Sequence, residues 1–112
     1  MSQNDNFLDY VPEKAIAWQL DDQGRVFLIK PKTGNRLLKR LIQLAGRNQD
    51  FHIHLDELGS AAWLQTDGRR SVQQISQLLQ ERFGARVEPA VERVCQFFAL
   101  MKHNRFVELR KK

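Results

Sequence analysis

Apolar positions recur along the chain with two different periods, and the switches between them divide it into elements. Ala15 to Leu20 and Arg25 to Lys30 are short apolar-rich segments flanking Asp21-Asp22-Gln23-Gly24. Gly24 can take the positive φ that closes a hairpin loop, so the two segments read as paired antiparallel strands. Pro31 and Gly34 break the chain, and Asn35 can cap a helix running to about Ala45, with Leu37, Leu38, Leu41, Ile42, Leu44 and Ala45 apolar. Phe51-His52-Ile53-His54-Leu55 then alternates strictly. This is a third strand, with Phe51, Ile53 and Leu55 on one face and the two histidines on the other.

Helical spacing follows. Asp56 begins a helix carrying Leu58, Ala61, Ala62 and Trp63 that stops at Asp67-Gly68. Ser71 followed three residues later by Gln74 has the form of a capping box, and Val72, Ile75, Leu78, Leu79 and Phe83 continue at helical spacing to Gly84. Pro89 suits the first turn of a last long helix within Glu88 to Asn104, and Arg105 to Leu109 closes the chain as a short extended piece. The order is strand, strand, short helix, strand, three helices, strand. It predicts an α+β, winged-helix-like domain: a small three-stranded antiparallel sheet, a three-helix bundle and a C-terminal strand.

With 112 residues and 42% apolar content the chain can bury one core but not two, so a single domain is expected, folded over 7–109 with disordered ends at 1–6 and 110–112. No run approaches the roughly 20 apolar residues of a membrane span, and the polar start Met1 to Asn6 is unlike a secretory signal. The expectation is a cytoplasmic protein. The single cysteine, Cys95, lies among Val91, Val94 and Phe98 and reads as a small buried apolar residue.

The net charge of +5 is concentrated rather than spread. Lys30, Lys32, Arg36, Lys39, Arg40 and Arg47 fall in one stretch without an acidic residue, and Arg110-Lys111-Lys112 ends the chain. An anionic partner would meet those segments rather than the body of the domain.

The last helix has more apolar surface than one core needs. Ala90, Val91, Val94, Cys95, Phe98 and Met101 form one face, and Phe97 and Leu100 widen it to about 220°, against an ordinary stripe of about 100°. The inserted helix, a second copy of the chain in a homo-oligomer, or a bound peptide are the candidates to cover that edge. A strand beside such a helix offers backbone groups and apolar pockets together, the requirements of strand addition by a peptide. Arg93 can pair with an acidic residue of a peptide or, in the plainer reading, stand as a solvated charge or bond in the neighbourhood of Glu88 and Glu92.

The stretch Leu55-Asp56-Glu57-Leu58-Gly59-Ser60-Ala61-Ala62-Trp63, followed by Asp67-Gly68-Arg69-Arg70-Ser71-Val72-Gln73-Gln74-Ile75, resembles the PqqD-like family of peptide-recognition domains. The likeness continues through Leu79, Phe83-Gly84, Glu92-Arg93 and Phe97-Phe98 to Phe106-Val107-Glu108-Leu109, and weakly covers Ala15 to Pro31. The resemblance implies a recognition element that binds the leader segment of a ribosomally made precursor peptide and delivers it to a separate modifying enzyme. It also implies that the leader lies as an added strand against Phe51, His52, Ile53, His54 and Leu55, in the groove formed with the last helix, Glu88 to Asn104. On that helix the wide apolar arc and the charge of Arg93 make Arg93, Phe97 and Leu100 the expected contacts of the peptide. Minimal members join the second and third strands by a tight turn. The basic helix inserted here resembles a longer subgroup.

Other chemistry finds less support. His52 and His54 share a strand face, but no cysteine or carboxylate pair is spaced to complete a metal site. No phosphate loop, nucleophile elbow or paired-carboxylate arrangement appears, so neither an enzyme nor a cofactor is expected. The rival reading is a DNA-binding winged-helix regulator, given a pI of about 9.8. Charge argues against it: Glu81 and Arg82 cancel on one candidate recognition helix, and Glu88, Glu92, Arg93 and Lys102 cancel on the other.

Overall fold

A computed structural model of the chain describes residues 7–31 and 50–111. In chain order its elements are β1 (Tyr10–Lys14), β2 (Trp18–Leu20), β3 (Val26–Pro31), β4 (Asp50–His54), α1 (Glu57–Leu64), α2 (Val72–Phe83), a 3₁₀ turn (Gly84–Val87), α3 (Ala90–His103) and β5 (Val107–Lys111). The predicted inserted helix, Asn35 to Ala45, lies outside the described residues.

The hairpin between β2 and β3 is closed by Asp21. Its N–H donates to the Arg25 carbonyl at 2.8 Å and its own carbonyl accepts from Gly24 N at 3.0 Å. Its carboxylate accepts from the backbone N–H groups of Gln23 and Arg25 at 2.9 and 3.0 Å. These donors, Arg25 N above all, hold the carboxyl below its ordinary range. Gly24 adopts φ 78°, a conformation costly for a residue with a Cβ.

The α+β architecture is the one the sequence predicts. A three-stranded antiparallel sheet in the order β2-β3-β4 packs beneath the helices. The apolar face of β3, Val26 and Leu28, is fully buried with Trp63, Val72, Ile75, Leu79, Val94 and Phe98. Removing a side chain such as Leu28 or Phe98 from water contributes about 1.5–3 kcal/mol. Both helix starts follow from their caps. Asp56 Oδ1 accepts from Gly59 N at 2.7 Å to begin α1. At α2, Ser71 Oγ accepts from Gln74 N at 3.2 Å while Gln74 Oε1 accepts from Ser71 N at 2.8 Å.

Ser60 joins α1 to the sheet. Val26 and Leu55 continue the β3–β4 register, and Leu55 N donates to Val26 O at 2.9 Å. The reciprocal bond is relayed: Val26 N donates to Ser60 Oγ at 2.9 Å, and Ser60 Oγ donates to Leu55 O at 3.3 Å. Without the hydroxyl, a buried N–H would lose its partner at a cost of about 1–3 kcal/mol.

The structure departs from the sequence reading in several places. A second sheet is present, in which β1 pairs antiparallel with β5 from Tyr10 opposite Lys111 to Lys14 opposite Val107. The strand β2 is shorter than Ala15 to Leu20, because residues 15–17 carry the chain from one sheet to the other. The helix α1 ends at Leu64, before Asp67-Gly68, and the buried Thr66 hydroxyl donates back to Ala62 O at 2.9 Å. The last strand begins at Val107 and runs two residues past Leu109, after Arg105 turns the chain with φ 63°. Val91, expected on the core face of the last helix, is 40% exposed.

Candidate functional site

The buried stripe of α3 is Ala90, Val94, Cys95, Phe98 and Met101. Burial raises the Cys95 thiol above its ordinary pKa and keeps it protonated at neutral pH, in line with an apolar role. Beside this stripe, Arg93, Phe97 and Leu100 stand at i, i+4 and i+7, along one line of the helix surface. Arg93 and Phe97 are half-buried, and Leu100 is 56% exposed.

Gly59 on α1 sets how deeply Phe97 sits. A Cβ at position 59 would lie 3.2 Å from Phe97 Cε1 and 3.4 Å from Leu55 Cβ, so the ring rests directly on the α1 backbone. The Phe97 ring also meets that of Phe98 edge-on, with ring centroids 5.1 Å apart. Between α1 and α3 this leaves an open groove of about 240 Å³. Leu58, Gly59 and Ala62 line one side, and Arg93, Phe97 and Leu100 the other. Its dimensions and apolar walls suit a single large aliphatic or aromatic side chain.

The strand β4 is an outer strand of its sheet among the described residues. The bond from Leu55 N to Val26 O fixes which backbone groups face β3. Pairing alternates along an antiparallel ladder, so Ile53 exchanges bonds with Leu28, whereas the N–H and C=O of His52 and His54 point away from β3. Those outward groups have no partner among the described residues. The side chains of Ile53 and Leu55 are half-buried against the core, and Leu55 approaches Gly59 together with Phe97.

Of the residues selected from sequence, the structure brings Arg93, Phe97 and Leu100 together in the groove, with Leu55 and Phe97 both against Gly59, while Ile53 packs on the core. Phe51 is on the same strand face but 51% exposed, two residues farther from the groove. The histidine side chains stand on the opposite face, where Phe27 lies between them at centroid distances of 5.0 Å to His52 and 5.4 Å to His54. Any contribution of the histidines to the groove edge is through their backbone. Arg93 does not pair with Glu88 or Glu92; its Nη1 donates to the carbonyl of Arg86 at 2.9 Å. Among the described residues no three His, Cys, Asp or Glu side chains gather as metal ligands.

Sequence reasoning missed Leu58, Gly59 and Ala62 as the wall facing α3. One signal was available. A glycine inside a helix, three residues after its cap, marks a close approach by another group.

A family model described as coenzyme PQQ synthesis protein D (PqqD) matches residues 44–107, a span that contains β4, all three helices and the whole groove. No curated protein and no solved structure matches the chain. No helix among the described residues is long and apolar enough to cross a membrane.

Proposed function

This chain belongs to the coenzyme PQQ synthesis protein D (PqqD) family, and we propose that it binds the leader segment of a ribosomally made precursor peptide by strand addition to β4 and presents it to a separate modifying enzyme. Family membership implies a peptide-binding chaperone role without catalysis of its own. The observation that carries the finer reading is the juxtaposition of two complementary features. The outward backbone groups of His52 and His54 lie on the strand that leads through Leu55 into α1, and α1 supplies Leu58 and Gly59 to one wall of the groove opposite Phe97 and Leu100. An added strand takes its register from the backbone bonds and its selectivity from an alternate side chain lodged in the groove. The protein acts by holding its peptide, so turnover belongs to the enzyme that receives it.

The reading is tested with short random peptides displayed as a library and selected on the full-length protein. Enriched peptides are expected to compete for one site and to bind Leu100→Asp about 10–100-fold more weakly, as for loss of an apolar anchor. Leu100 is exposed, so the variant should keep its melting temperature. Ligands that bind both proteins equally would place the peptide elsewhere and overturn the proposal.

A further inference from the structure

The groove does not end at Arg93. Asp56, Leu58 and Arg93 are shared with a second cavity of about 270 Å³ at the N-terminal end of α3. Its lining holds three arginines, Arg25, Arg86 and Arg93, and two acidic residues, Asp56 and Glu57.

Both carboxylates are engaged. Asp56 caps α1 through Gly59 N, and Glu57 Oε2 receives Arg86 Nη2 at 2.8 Å. Arg86 also lies over the Phe83 ring, 5.5 Å from its centroid, which fixes the wall it forms. Arg93 spends one N–H on the Arg86 carbonyl and has four others. The Arg25 side chain makes no hydrogen bond or close ion pair among the described residues; it acts on the Asp21 carboxylate only through space. The lining thus carries three positive and two negative charges, with Arg25 and Arg93 the available donors. That surplus balances one carboxylate. A phosphate bears about −1.5 to −2 and would face Asp56 and Glu57 with charge left over.

We propose that this cavity receives the carboxylate of an acidic residue on the same peptide whose apolar side chain fills the neighbouring groove. The inference rests on the peptide-binding reading above and adds to it a requirement on the ligand. Four to seven residues of α3 separate Arg93 from Phe97 and Leu100, or about 6–10 Å along the helix axis. An extended chain covers that distance in about two to three residues. The ligand is then a peptide with Asp or Glu about two to three positions from a large apolar residue.

The same displayed library, selected in parallel on the wild-type protein and on Arg25→Gln, tests this. Wild-type protein should enrich an acidic residue at that spacing from an apolar one, whereas Arg25→Gln should keep the apolar preference and lose the acidic one. For a synthetic enriched peptide, Asp→Asn should lower affinity about tenfold on wild type, with little further loss on Arg25→Gln. Arg25→Lys should retain part of the discrimination. Enrichment of apolar residues with no acidic position, or an equal Asp→Asn loss on both proteins, overturns this inference and leaves the groove reading standing. No enrichment on either protein overturns both.

Discussion

Replacing Phe98 with alanine is expected to destabilise the protein by about 3–5 kcal/mol, whereas replacing its neighbour Phe97 should chiefly weaken peptide binding, by about 1–3 kcal/mol. The two rings touch edge-on and differ by one position, yet their surroundings differ in kind. Phe98 is fully buried among residues of β3, α1, α2 and α3, so its removal leaves a cavity that close-packed neighbours cannot fill. A loss of that size is a large part of the 5–15 kcal/mol that holds a typical domain folded. Phe97 is only half-buried, resting on Gly59 with one side open to the groove. Its truncation removes less core and more of the proposed ligand surface. Denaturant unfolding and calorimetric titration of both variants separate the two roles. A Phe97→Ala protein as unstable as Phe98→Ala, with peptide affinity intact once folded, would make Phe97 a core residue.

Substituting proline for His54 should reduce peptide binding by about 1–3 kcal/mol while His54→Ala leaves it nearly unchanged. The His54 N–H points away from β3, so proline removes no bond of the native ladder, and outer strands tolerate it on that side. A bound strand would lose its donor at that position, leaving a peptide carbonyl unsatisfied. Alanine keeps the N–H and removes only an imidazole that stands beside Phe27 on the face opposite the groove. The pair of variants isolates the backbone. Equal loss from both, or loss from neither, would argue against strand addition at this edge.

What the sequence made legible was local. The Asp21–Gly24 turn, the Ser71–Gln74 capping box and the alternation of residues 51–55 each place their determinants within a few positions, where spacing alone reveals them. The pairing of β1 with β5 was not legible, since it joins residues about a hundred positions apart and Pro12 interrupts a segment with little aliphatic content. Proline is accepted there because β1 is an edge strand of a two-stranded sheet. Lys14 masks the strand further. It looks like a surface charge, but its ammonium lies 4.7 Å from the Trp18 ring centroid and 5.9 Å from that of Trp63, and burial lowers its pKa against the opposing pull of Asp67.

The candidate site divides along the same line. Arg93, Phe97 and Leu100 follow from helical periodicity, because their spacing is a property of one element. The opposite wall, and the arginine cavity, depend on how three elements meet: Arg25 follows the hairpin turn, Glu57 begins α1 and Arg86 lies on the 3₁₀ turn. No periodicity connects them. The width of the apolar arc on α3 was overestimated at Val91, which faces solvent, but correctly marked Phe97 and Leu100 as lying beyond the core.

The central claim is that a peptide adds as a strand along β4, and amide hydrogen exchange of the full-length protein with and without a selected peptide tests it most directly. The amides of His52 and His54 should exchange more slowly on peptide addition, with cross-strand contacts from peptide backbone protons to β4, while those of Ile53 and Leu55 change little because they already bond to β3. Protection confined to the hairpin of β2 and β3, with His52 and His54 exchanging as in the free protein, would contradict it.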